Sequence, residues 1–186
     1  VQGMLTPLGT STVTGYNMSL RTEQFLFCFS QGISAAMVVC LSQNLGHGDK
    51  ARARRFYRVS VCAELALIAV LATVCFLLPE RIVGIFSHNP QVIAAGAKYT
   101  GAMAYLYVFA YLGEVIQGFF RGIGDLRITL ISSILNMAGR VAAASVLVLL
   151  WKMEIEALPY SYVFGWVLML AYELPAMLRY LRKNKM

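Results

Sequence analysis

Charge is scarce in this sequence. Asp, Glu, Lys and Arg together make up 13% of the 186 residues, while hydrophobic residues make up 59%. That leaves too little polar surface to solvate a water-soluble domain of this length, so much of the apolar area has to face lipid. The two histidines, His47 and His88, have no His, Cys or carboxylate partner at metal-ligand spacing. No HExxH, Ser-centred elbow or paired-aspartate motif occurs, so neither a metal site nor a hydrolytic centre is expected. The four cysteines, Cys28, Cys40, Cys62 and Cys75, all fall in apolar stretches without CxxC spacing, where a thiol acts as a small hydrophobe.

What the chain has instead is five apolar runs of near-equal length: Phe25–Leu45, Phe56–Leu78, Tyr99–Phe120, Ile128–Leu150 and Leu158–Leu178. Each approaches the ~20 residues a helix needs to cross ~30 Å of hydrocarbon. The expected fold is therefore all-α, a polytopic transmembrane helix bundle of about five spans. Residues 1–22, with the Thr6-Pro7-Leu8-Gly9 break, read as the end of a preceding span and its outer loop; 23–178 read as the bundle, and 179–186 as a basic tail.

The net charge of +7 is not arranged as a nucleic-acid stripe. Lys50, Arg52, Arg54, Arg55 and Arg58 follow the first run; Arg121 and Arg127 follow the third; Arg179, Arg182, Lys183 and Lys185 follow the last. Basic residues on alternate joints mark the cytoplasmic side, so the tail is expected inside and the start outside. No charged, cleavable leader precedes that outside start, which makes the chain read as the C-terminal part of a longer membrane protein. Trp151, Tyr160, Tyr162 and Trp166 are expected to form an aromatic belt at the outer ends of the last two runs. The Gly32/Ala36 pair is expected to mark a packed face.

Ionisable groups inside spans are costly and usually face a bundle interior or a wet cavity. Glu64, Glu114 and Glu173 fall about 9–11 Å from the basic side and Arg140 about 20 Å, so the three carboxylates could share one level. Tyr107, Tyr111, Glu114, Gln117 and Arg121 recur at helical spacing, as do Thr129, Ser132 or Ser133, Asn136 and Arg140. Two such stripes should face each other or water, with Arg140 reaching toward Glu114. Glu114 is the candidate for taking up a proton or cation, with Asn136 and Arg140 tuning it and Gln117 and Tyr111 beside it; a static ion pair that fixes register is the alternative. Glu64, Glu173 and Gln31 are secondary candidates. The two carboxylates could instead snorkel to the headgroups, and Gln31 and Gln24 read first as interhelical hydrogen-bond partners. The basic run after Gly48 could hold anionic lipid or be an ordinary cytoplasmic loop.

The order of three joints carries a resemblance: Gln31-Gly32-Ile33 with Ser42-Gln43-Asn44-Leu45-Gly46 and its basic run, then Phe86-Ser87-His88-Asn89-Pro90-Gln91-Val92-Ile93, then Arg121-Gly122-Ile123-Gly124-Asp125. Together they resemble the C-terminal lobe of the multidrug and toxic compound extrusion (MATE) family, over about Thr6 to Leu178. The resemblance implies one lobe of a two-lobe antiporter in a bacterial plasma membrane. Such a protein exports drugs or organic cations by alternating access in exchange for Na+ or H+, without a resident cofactor or nucleic-acid partner. It also implies an N-terminal lobe outside this chain, and an acidic position on the third run that falls nearer Ala110 than Glu114. The other readings are a lipid-linked oligosaccharide flippase, a membrane-embedded enzyme or a helical scaffold.

Overall fold

A computed structural model describes residues 10–149 and 157–184. Seven helices follow one another: α1 (Thr10–Gly46), α2 (Lys50–Leu77), α3 (Pro79–Gly84), α4 (Pro90–Met103), α5 (Tyr107–Gly122), α6 (Leu126–Leu149) and α7 (Ala157–Asn184), with no strand among the described residues. Four of them, α1, α2, α6 and α7, are long and apolar enough to cross a membrane. The α4–α5 pair makes a fifth span if counted as one, bent by 61°. The fold is thus the expected all-helical bundle.

Two joints use the same stop. At Gly48 (φ +78°) the Gly48 and Asp49 amides donate to the carbonyls of Leu45 and Asn44, at 3.0 and 2.9 Å. At Gly124 (φ +81°) the Gly124 and Asp125 amides donate to Arg121 and Phe120, at 3.2 and 3.0 Å. Each closes the last helical turn with a left-handed residue, a conformation glycine adopts without a Cβ clash, which explains the recurrence of Gly-x-Gly-Asp. Asp49 then caps α2 by accepting from the Arg52 amide. Likewise Asn89 caps α4 through the Gln91 amide at 3.0 Å, with Pro90 in the first turn.

Two expected boundaries change. Residues 10–22 are the start of α1 rather than a loop, because Tyr16, Ser19, Leu26, Ser30, Ser34, Met37 and Leu41 continue one buried stripe at helical spacing; residues 1–9 lie outside the described part. At 37 residues α1 is about 55 Å long, well beyond the hydrocarbon thickness. The third run is not one straight helix either. Between α4 and α5 the amides of Ala104, Leu106 and Phe109 reach back only three residues, which tightens the chain and turns it without a proline. The turn lets both halves lie on α1: Gly96 of α4 stands so close to Gly15 that a Cβ would fall 3.1 Å from its carbonyl, and Gly118 of α5 would clash with Ser34 Oγ at 2.3 Å.

Small residues on α5, not the Gly32/Ala36 pair, make the packed face. Gly32 has nothing within 4 Å of a notional Cβ and Ala36 is exposed. Helices can approach without lipid-driven force only where the partner also offers a fitting surface, and Ser34, Met37 and Leu41 provide it on the other side of α1. At the basic end, Phe119 ties three helices together, edge-on to Tyr57 of α2 at 5.1 Å and Tyr180 of α7 at 5.5 Å. Leu130, Ile134 and Val141 form an exposed apolar stripe along α6, a surface expected to meet lipid.

Candidate functional site

Helices α6 and α7 cross closely. A Cβ on Gly165 would lie 2.4 Å from Arg140 Cγ and 2.6 Å from Asn136 Oδ1, and one on Gly139 would lie 2.6 Å from Leu168 Cδ1. This crossing sets the side chains of Asn136 and Arg140 directly over bare backbone of α7. On the α5 side, α6 stands further away, and a cavity of about 250 Å³ opens between them. Its walls are Phe27 of α1, Ala110, Glu114 and Gln117 of α5, Ser133, Asn136, Met137 and Arg140 of α6, and Trp166 and Met169 of α7. Glu114 and Gln117 of one polar stripe and Ser133, Asn136 and Arg140 of the other therefore face a common space, large enough for several waters.

Arg140 does not reach Glu114. Its guanidinium lies over the Tyr162 ring, 3.5 Å from the centroid, because the tight α6–α7 crossing starts its side chain along α7. Glu114 pairs instead with Arg121, two turns along its own helix. Arg121 Nη2 also donates to Ser34 Oγ at 3.0 Å, and Ser34 donates to the Glu114 carbonyl at 3.3 Å, so α1 holds the pair in place. Gln117 and Asn136 both donate their amide N–H to Met169 Sδ, at 3.4 and 3.5 Å, and Asn136 Oδ1 is left without a partner. Sulfur is a weak acceptor, so these two amides are held loosely.

The remaining candidates lie off the cavity. Tyr111 is buried against Phe27, ring centroids 5.4 Å apart. Glu64 does not snorkel: it is 1% exposed, and Ser30 of α1 donates to its Oε1. Glu173 is likewise fully buried, with Ser132 and Gln117 beside it but no well-formed hydrogen bond to either oxygen. Both carboxylates lie within electrostatic reach of Glu114. Gln31 and Gln24 are exposed on the outer face of α1 and bridge no helices among the described residues. Tyr162 and Trp166 form no outer belt; both are buried beside Arg140, their rings 5.7 Å apart. Tyr160 is exposed, and Trp151 is outside the described residues.

One acid escaped the sequence reading. Glu23 sits inside α1 with Oε2 buried and unpartnered, within reach of the charge of Arg140. Ending the outer loop at residue 22 put Glu23 at the membrane surface; the spacing of Ser19, Glu23, Ser30 and Ser34 was the available signal that the helix starts earlier. Around it Tyr16 OH lies 3.3 Å from Tyr162 OH and its ring meets Tyr99 edge-on at 5.2 Å, continuing the polar network from Arg140 toward the start of α1.

Comparison with known proteins places this arrangement. The MatE family model matches residues 1–146. The chain is 29% identical over 115 residues to a probable multidrug resistance protein NorM of Mannheimia succiniciproducens, covering 62% of this chain and 24% of that protein. It is 29% identical over 127 residues to the multidrug resistance protein PmpM of Pseudomonas aeruginosa, covering 68% and 27%. The chain thus spans about a quarter of the curated relatives it matches. The fold superposes on an inward-facing multidrug resistance MATE family transporter of the MOP superfamily, at a TM-score of 0.84 and 12% identity, over 92% of this chain and 39% of that one. A crystal structure of MATE in the bent conformation matches equally, over 38% of its length. With more than half of its length matched by the family model and its helices laid out as in those transporters, the chain belongs to the MatE (multidrug and toxic compound extrusion) family.

Proposed function

We propose that this chain forms part of an antiporter that exports drugs or organic cations in exchange for Na+ or H+, with substrate passing between this bundle and a second lobe. The basic end faces the cytoplasm. One observation carries the reading: Glu114 and Arg140 line the same cavity within the spans and do not pair with each other. Charged groups at that depth are retained where they serve a path for ions or substrate.

Alternating access needs two arrangements of the bundle that differ by only a few kcal/mol. Taking up a proton or cation at Glu114 alters its attraction for Arg121, and through Ser34 the contact between α5 and α1. Arg140, held by a ring face rather than a carboxylate, is able to turn toward an anionic group that enters the cavity. The names of the curated relatives, multidrug resistance proteins, support export of drugs. A flippase for lipid-linked oligosaccharides would need a more basic cavity; among the described residues Arg140 is the one cation lining this one.

The test is drug efflux by the full-length protein with and without Na+ and pH gradients, compared with Glu114→Gln and Arg140→Ala. Both variants are expected to fold and to lose most gradient-driven export. Unchanged export in both would remove the two residues from the mechanism.

A further inference from the structure

A second opening lies at the other end of the exposed face of α1, where α1 hands over to α2. It has a volume of about 530 Å³ and is lined by Cys40, Gln43, Asn44, His47, Arg52 and Phe56. Arg52 is the cation that lines it, beside His47, and it belongs to a basic end of α2. Lys50, Arg52, Arg54, Arg55 and Arg58 crowd the first turns of α2 against a single carboxylate in that stretch, Asp49, whose Oδ1 is already occupied by the Arg52 amide at 2.9 Å. The helix order brings Arg127, Arg179, Arg182 and Lys183 to this same end.

The surface toward the membrane centre has the opposite character. Val39 is 52% exposed on α1, and Phe56 and Val59 are 36% and 58% exposed on α2. Ala36 is exposed one turn further along α1, and over Gly32 the space is open. The small residues that pack no helix thus leave a shallow trough leading from the opening along the exposed side of α1. A ligand that satisfies both regions carries a negative headgroup and long apolar chains.

We infer that this opening is a binding site for an anionic phospholipid, its phosphate held by His47 and Arg52 with Gln43 at the rim, and its acyl chains lying in the trough over Gly32 and Ala36. A soluble phosphate would leave the trough empty, and a zwitterionic lipid would leave the surplus of cations unmatched. Charge complementarity at the bilayer edge therefore selects the headgroup, and the small residues select the tail. Bound there, the lipid bridges α1 and α2 at the cytoplasmic end.

Native mass spectrometry of the full-length protein, released from mild detergent with added phosphatidylglycerol or phosphatidylcholine, tests the site. One phosphatidylglycerol is expected to be retained in preference to phosphatidylcholine. Arg52→Gln should weaken it about fivefold, the effect of one cation near an anionic headgroup, while Arg182→Gln, at the same end but off the opening, should change it by less than about twofold. Ala36→Phe fills the trough and should weaken both lipids. Arg52 is exposed on the first turn of α2, so its loss should not unfold the chain; His47→Ala, also exposed, is the second variant and should act in the same direction. Equal loss in Arg182→Gln would show a diffuse basic collar and overturn the site. So would unchanged binding in both Arg52→Gln and His47→Ala, displacement of the lipid by millimolar inorganic phosphate, or a photocrosslinker at position 36 that captures protein instead of lipid.

Discussion

Arg140 stands over the ring of Tyr162, 3.5 Å from its centroid, while the carboxylate of Glu114 across the same cavity is held by Arg121. Opposite charges thus share a small space inside the bundle without neutralising one another, and each has a partner that can be given up. The Tyr162 contact is worth roughly 0.5–2 kcal/mol, depending on how dry the site is. Replacing Tyr162 with Leu removes the ring face and the hydroxyl beside Tyr16, and is expected to change the environment of neighbouring Trp166. Trp166 emission, read in a Trp151→Phe background, should shift in Tyr162→Leu and stay constant in Tyr160→Leu, whose ring is exposed.

Gly165 has no room for a side chain. A methyl there would lie 2.4 Å from Arg140 Cγ and 2.7 Å from the Asn136 carbonyl, so Gly165→Ala must push α7 off α6. Overpacking of this kind costs about 1–3 kcal/mol. A thermal melt of the purified protein should show Gly165→Ala lowered by several degrees, whereas Gly32→Ala, with open space around it, should melt within about a degree of the parent.

Among the described residues the hydroxyl of Ser30 is the one hydrogen-bond donor to the Glu64 carboxylate, whose other oxygen is buried without a partner. Ser30→Ala is therefore expected to cost about 1–3 kcal/mol, the penalty of stranding a buried polar group. Combining it with Glu64→Leu should recover part of that loss, since an apolar pair of similar shape leaves nothing unsatisfied. A double-mutant melt in which the two losses simply add would show that the two side chains do not act as a pair.

How far the sequence reaches depends on the kind of signal. The span count was legible because an apolar run is a local signal, and the two Gly-x-Gly-Asp stops and the Asn89-Pro90 cap rest on local chemistry too, a left-handed glycine and a capping amide. The facing stripes on α5 and α6 were legible as well, since 3.6-residue periodicity places Glu114, Gln117, Asn136 and Arg140 on inward faces. The errors concern partners. Whether Gly32 or Gly118 packs depends on what stands opposite, and Arg140 is drawn to Tyr162 by a helix crossing formed 25 residues later in the chain at Gly165. The bend between α4 and α5 has no proline to announce it; it follows from both halves lying on α1. Glu23 was lost through one misplaced helix start.

Cysteine accessibility at Asn136 bears most directly on the central claim, that the space between α5, α6 and α7 is a water-filled path inside the spans. In a background with Cys28, Cys40, Cys62 and Cys75 replaced, a membrane-impermeant thiol reagent should modify Asn136→Cys in membranes and spare Ile134→Cys, which is 57% exposed on the lipid side of the same helix. Equal inertness at the two positions would mean a dry cavity and would contradict the account.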